Sequence, residues 1–240
     1  DFVATGHYAR IEKLENGRFA LRMSKTSAKD QTYALYNLTQ DQLSRTLMPV
    51  GDYEKDEIRE IAKKFNLRVA NKPDSQEICF VSDNDYASFV ENEIGKKMPE
   101  GNFVTADGEI LGQHKGILHY TIGQRKGLGI ALGHPIFVTE IRPETNEVVI
   151  GENEDVFGYS LEANNLNAMA VEKFFDGMRA VGKIRYSHKG EHCTIKVLGE
   201  DRIRIDFDEK VRAITPGQAV VLYDESGLVL GGGTIIKRCD

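Results

Sequence analysis

The rhythm of hydrophobic and polar positions changes twice along the chain. Residues 1–8 form a mostly apolar run arriving at Gly6, the pattern of a buried strand that ends in a turn. Asn16-Gly17 then separates residues 9–14 from residues 18–23, the signature of a two-residue hairpin turn. After Pro49 and Gly51, Asp52 is placed to cap a helix reaching about Phe65. Its apolar residues Ile58, Ile61, Ala62 and Phe65 repeat at i, i+3, i+4 and i+7. Short strands are expected at 67–69 and 78–81, flanking the loop 71–77, with another short helix over 85–93.

From Gly101 the periodicity shortens. Glycines punctuate brief apolar runs, and strands are expected at 136–141 and 147–150, joined through 143–146. Beyond a linker near 151–158 the pattern is that of antiparallel strands: 179–186, 193–198, 202–207, 219–223 and 228–237. Turns fall at 199–201, Pro216-Gly217 and Ser226-Gly227. Five or six short strands in so small a region predict a closed barrel, which leaves no sheet edge exposed.

Composition narrows the class. At 240 residues, 40% hydrophobic and 28% charged, the chain is a soluble globular protein with a sizeable core, not a disordered or fibrous one. No apolar run approaches the roughly 20 residues of a membrane span. Cys79, Cys193 and Cys239 are too few and too odd in number for a secreted disulfide framework, so a reducing cytoplasm is the expected setting. The opening Asp1-Phe2-Val3-Ala4-Thr5-Gly6, without a starting Met, leads us to expect a piece of a longer protein. The net charge of −6 is unevenly spread. Residues 74–109 carry nine acids against Lys96 and Lys97, whereas residues 111–142 and 176–196 are each net +3. Local basic patches decide binding faces more than the total does.

Several residues could carry chemistry, each with a plain alternative. Cys79, in Asp74-Ser75-Gln76-Glu77-Ile78-Cys79-Phe80, is either a small buried hydrophobe or a sulfur nucleophile. Asp74 and Glu77 would raise a thiol pKa, so activation must come from afar or from a more acidic group such as a persulfide. Cys193 and Cys239 lack metal-ligand spacing, and no metal is expected. Thr5-Gly6-His7-Tyr8 ends a strand where α/β sheets bind nucleotides, or is simply a turn. Gly123-Gln124-Arg125-Lys126-Gly127-Leu128-Gly129-Ile130 sets two cations among glycines, which suits phosphate oxygens, with His114, Lys115, His119 and Tyr120 adding donors and a stacking face, or is a Gly-rich turn with solvated charges. Arg185-Tyr186, beside Lys183, His188 and Lys189, pairs a guanidinium with a ring in a combination that stacks on unpaired bases and holds phosphates, or is a common exposed strand end.

Read in order, these segments resemble the bacterial tRNA-specific 2-thiouridylases (the MnmA/TrmU family). The matching residues are Ala4-Thr5-Gly6-His7-Tyr8, Lys29-Asp30-Gln31-Thr32-Tyr33, Pro49-Val50-Gly51, Asp74-Ser75 with Ile78-Cys79-Phe80, residues 123–130, Thr215-Pro216-Gly217-Gln218 and Gly231-Gly232-Gly233. The resemblance implies an α/β plus β fold. Residues 1–84 would be the remainder of an adenine-nucleotide α-hydrolase-like domain, residues 85–152 a small mixed domain, and residues 153–240 an antiparallel β-barrel.

It also implies a sulfurtransferase that spends ATP to adenylate the C2 oxygen of the wobble uridine. A cysteine persulfide then delivers sulfur, giving 2-thiouridine, AMP and pyrophosphate. Cys79 takes the persulfide position, charged by a sulfur-carrier protein or a cysteine desulfurase. Gly6 takes the ATP-contacting position, and His7, Lys29, Asp30, Gln31, Arg185, Tyr186 and Gln218 take positions that touch tRNA. A monomer is expected. The family's Ser-Gly-Gly-Val-Asp-Ser loop for ATP does not occur in these residues, nor does its Asn-Pro-Asp segment followed by a second catalytic cysteine. That cysteine would form a disulfide with the persulfide cysteine. The 240 residues alone are therefore expected neither to form the adenylate nor to complete transfer. Two rivals remain: a non-catalytic RNA-binding module with an incidental cysteine, and a thiol hydrolase pairing Cys79 with His7 or His119.

Overall fold

The computed structural model describes residues 1–67 and 86–240, and these fall into two compact units: residues 1–67 with 159–240, and residues 86–158. Among the described residues no helix is long and apolar enough to cross a membrane.

The first unit begins with β1 (Val3–Ala4), followed by the hairpin β2 (Ala9–Lys13) and β3 (Phe19–Met23). Two short helices follow, α1 (Thr32–Leu35) and α2 (Gln40–Ser44). Next come β4 (Thr46–Leu47), parallel to β1, and α3 (Lys55–Lys64). The expected buried strand over 1–8 is a two-residue strand instead, with Phe2 and Val3 each 67% exposed. Its backbone bonds go to one side only, from Val3 N to Arg45 O and from Thr5 N to Leu47 O. The hairpin turn also differs from a two-residue type. Gly17 (φ 82) takes the left-handed conformation and Asn16 does not, while Leu14 and Arg18 close a longer loop. The helix starts after Glu54, not Asp52. The Glu57 carboxylate accepts from Glu54 N at 2.6 Å, whereas Asp52 lies 3.9 Å from Arg10.

The second unit opens with α4 (Tyr86–Ile94) and holds a four-stranded sheet in the order β6-β5-β8-β7. The strands are β5 (Gly101–Val104), β6 (Ile110–His114), β7 (Phe137–Arg142) and β8 (Glu147–Gly151). Phe103, Tyr120, Leu128, Ile136, Val138, Val148 and Ile150 form its core. His114 and Tyr120 belong inside it, not on a donor surface: each ring meets Phe103 edge-on, with centroids 5.5 and 5.1 Å away. Gly116 N donates to His114 Nδ1, so Nε2 carries the proton and donates to Asn146 O at 3.1 Å. Burial holds this imidazole below the usual histidine range.

The chain then returns to the first unit as β9 (Phe157–Ala168), β10 (Arg179–Lys183), β11 (Glu191–Gly199), β12 (Arg202–Arg212), β13 (Ala219–Tyr223) and β14 (Val229–Arg238). Together these strands form a closed barrel. Alternation puts Ile203, Ile205 and Phe207 inside. β9 runs through a segment whose polar Asn164-Asn165 hides the period. Asn165 has φ 50, and the Asp201 carboxylate accepts from the Asn165 and Leu166 amides. On β14, a Cβ at Gly232 would lie 2.5 Å from Val220 O and 2.7 Å from the Tyr36 ring, so only glycine admits that close approach.

One core serves both parts of the first unit: Ala9, Ala20, Leu21 and Leu43 pack with the barrel residues. Polar bonds add to this. Arg18 donates to the Met169 and Ala168 carbonyls, Asn16 to Ala170 O, and Asn167 to Tyr36 O and Leu38 O.

Candidate functional site

The turn after β10 holds Arg185-Tyr186-Ser187-His188. It closes through His188 N donating to Arg185 O at 3.1 Å and Ile184 N donating to His188 Nδ1 at 3.4 Å. Arg185 is fixed from the other side, donating to Arg212 O at 2.6 Å. Burial and the Arg212 charge lower its pKa, though a guanidinium stays charged throughout the accessible range. His188 is pushed down to about 4, first by burial and then by the Arg185 and Lys183 charges. It therefore braces the turn as a neutral ring.

A groove of about 520 Å³ opens here, lined by Tyr33, Arg185, Tyr186, Ser187, Gln218 and Ala219. Tyr33 comes from α1 and donates its hydroxyl to Ala219 O at 2.8 Å. Burial pushes this hydroxyl up to about 12, so it remains a donor at neutral pH. Residues separated by more than 150 positions thus line one depression with a cation, two aromatic rings and an amide. Such a lining can stack an unpaired base and hold a phosphate.

The other predicted residues lie on the segment that supplies Tyr33. Gln31 clamps the end of the first strand region twice: its Oε1 accepts from Tyr8 N and its own N donates to Tyr8 O, both at 2.9 Å. His7 Nδ1 bonds Thr5 Oγ1 at 2.8 Å, and Gly6 is exposed with no atom within 4 Å of where a Cβ would sit. Lys29 ends a 3-10 turn, Ser27–Lys29. Asp30 is buried, its carboxylate accepting from the Ser24 and Thr32 amides and from the Thr32 hydroxyl. Thr32 Oγ1 in turn meets Tyr223 OH at 3.2 Å inside the barrel. Asp30 therefore organises the turn through its side chain. Its charge also partly offsets the burial that lowers the Lys183 ammonium, which lies over the Tyr223 ring.

Arg185, Tyr186 and Gln218 are brought together, and Gly6, His7 and Gln31 form a second group tied through Tyr8. Cys79, the strand expected at 78–81 and all but Leu67 of the strand expected at 67–69 lie outside the described residues. The bracing His188 and the groove-lining Tyr33 belong to quoted segments, yet neither is among the positions expected to touch tRNA. Cys193 is buried with its thiol pushed up to about 12, which leaves it inert, and Cys239 donates to Glu162 Oε1. Among the described residues no group of three or more metal-ligating side chains is gathered.

Three family models match the chain in succession: a tRNA methyl transferase HUP domain over residues 1–83, a tRNA methyl transferase PRC-barrel domain over 87–152, and an aminomethyltransferase beta-barrel domain over 160–235. They define a tRNA-modifying class built from a nucleotide-type α/β domain and two β-rich ones. The chain is 66% identical over 237 residues to a tRNA-specific 2-thiouridylase MnmA of Lachnoclostridium phytofermentans, covering 99% of this chain and 66% of that protein. It is 58% identical over 238 residues to the MnmA of Clostridioides difficile, with 99% and 66% covered. It is also 52% identical over 239 residues to that of Carboxydothermus hydrogenoformans, with 99% and 65% covered. The chain belongs to the tRNA-specific 2-thiouridylase family, and it spans just under two thirds of the length of these relatives.

Proposed function

We propose that this protein works in tRNA thiolation, binding tRNA and delivering sulfur to the C2 position of the wobble uridine from a persulfide on Cys79. The observation that carries this reading is the groove. Tyr33, next to the Lys29-Asp30-Gln31 turn, shares it with Arg185, Tyr186 and Gln218, so motifs far apart in sequence become parts of one RNA-contacting surface. ATP supplies the adenylate that turns the uracil oxygen into a leaving group. Gly6 fits such a ligand: it follows a strand paired in parallel and leaves open space where a side chain would be. Sulfur would reach Cys79 from a sulfur carrier or a cysteine desulfurase. By themselves these 240 residues carry neither the ATP loop nor the second cysteine of the family pattern, so we expect persulfide formation and tRNA binding from them, without AMP release.

The test is tRNA binding over a salt series. Arg185→Ala is expected to weaken binding and to flatten the dependence of log K on log salt by about one unit. An unchanged slope would remove the groove from the contact surface. Exposure to cysteine desulfurase and cysteine should place sulfur on Cys79 and on neither other cysteine. If persulfide is absent while tRNA still binds, the rival reading of a non-catalytic RNA-binding module takes over.

A further inference from the structure

The loop containing Gln124-Arg125-Lys126 is held at both ends. Gly123 N donates to Val138 O at 2.7 Å and Val138 N donates to Gln124 O at 2.9 Å, which hangs the loop on β7. At its far end Leu128 is inserted into the core, only 5% exposed. Between these anchors the Gln124 side chain works as a strut. Its Oε1 accepts from Thr121 N at 3.0 Å and its Nε2 donates to Lys126 O at 2.9 Å. Gly127 (φ 75) takes the left-handed conformation that turns the chain just after this amide.

The loop therefore presents Arg125 and Lys126 on a fixed frame. Both are exposed, and among the described residues neither side chain has an ion pair or a hydrogen-bond partner. Arg142 of the same unit shows the contrast, paired with Glu140 at 3.1 Å and Glu147 at 3.6 Å. Two adjacent cations with no compensating partner among the described residues, on a loop braced by its own glutamine, suit an outside anion. The surrounding glycines let a phosphodiester backbone approach closely, which a bulkier loop would prevent.

We propose that this loop is a phosphate clamp for an RNA backbone, with Arg125 and Lys126 each engaging one phosphate and Gln124 as the positioning residue. The proposal rests on the reading of the protein as a tRNA-binding one and adds a contact surface separate from the barrel groove.

The test uses the intact chain and an unmodified transcript of a tRNA with a wobble uridine, with binding measured by fluorescence anisotropy over a salt series. Arg125→Ala and Lys126→Ala are each expected to reduce the slope of log K against log salt by about 0.7–0.9, and the double variant by about twice that. Gln124→Ala retains both charges, so its slope should stay near the parent value while affinity falls several-fold at every salt concentration. A merely structural role for Gln124 would lower the melting temperature without moving affinity. Unchanged slopes in Arg125→Ala and Lys126→Ala, with the Arg185→Ala effect intact, would overturn the clamp alone. A parent chain that binds tRNA no better than heparin of equal charge would overturn the tRNA reading itself.

Discussion

The two units place basic side chains on their surfaces by opposite means. In the unit of residues 86–158 the loop carrying Arg125 and Lys126 is braced from within residues 121–138, and the sheet beneath it is built from one contiguous stretch. In the other unit Arg185 and Gln218 acquire their groove only because Tyr33, some 150 residues earlier, packs against the barrel. Local bracing gives a surface that forms whenever its own segment folds. Long-range bracing makes the surface a reporter of the whole core, and it pays more loop-closure entropy before its contacts form.

The sharpest way to probe this contrast is to empty each core. Phe103→Ala removes a fully buried ring and should cost about 3–5 kcal/mol. In hydrogen exchange the loss of protection should remain within the contiguous stretch 101–151. Leu21→Ala should cost about 2–5 kcal/mol. Here the loss should appear in the hairpin and in the barrel strands together, because Leu21 lies in their common core and its amide donates to Met169 Sδ. If only the hairpin loosened after Leu21→Ala, the claim of a shared core would fail.

The smallest effect concerns His188. A free imidazole titrates near 6.5, and here the ring stays neutral to about 4. Above 6.5 the brace is fully present. As pH falls toward 4 the unfolded chain takes up a proton that the folded one refuses, so stability is lost across that window. The loss should be on the order of 1–2 kcal/mol once solvent screening is allowed for. His188→Gln keeps an acceptor for Ile184 N, and its stability should fall less between about pH 7 and about pH 4.5 than that of the parent. Equal losses in both proteins would remove His188 as the titrating group.

Much of this was legible from sequence. Alternation marked five of the six barrel strands, since inward residues such as Ile203 and Ile205 recur at period two. The strand Phe157–Ala168, hydrogen-bonded between β12 and β14, escaped because its polar Asn164-Asn165 pair and the Asn165 kink interrupt the period. His114 and Tyr120, read as exposed donors near a basic loop, turned out to be core. Nothing in their spacing tells a His that finds both a backbone donor and a backbone acceptor from one facing water. Asp30 shows the same limit: its motif was readable, but the occupation of its carboxylate by Ser24 and Thr32 was not.

The kind of protein is written along the chain. Ordered motifs from Gly6 to Gly233, together with strand and helix periods, are one-dimensional properties, and they suffice for family and fold class. Which side chains meet follows from the folded chain alone. Tyr33 beside Arg185, Tyr8 clamped by Gln31 and Arg125 held on a braced loop depend on closing loops of very different length around shared cores. That closure is governed by burial and backbone hydrogen-bond satisfaction over the whole chain, and no local pattern of residues records its outcome.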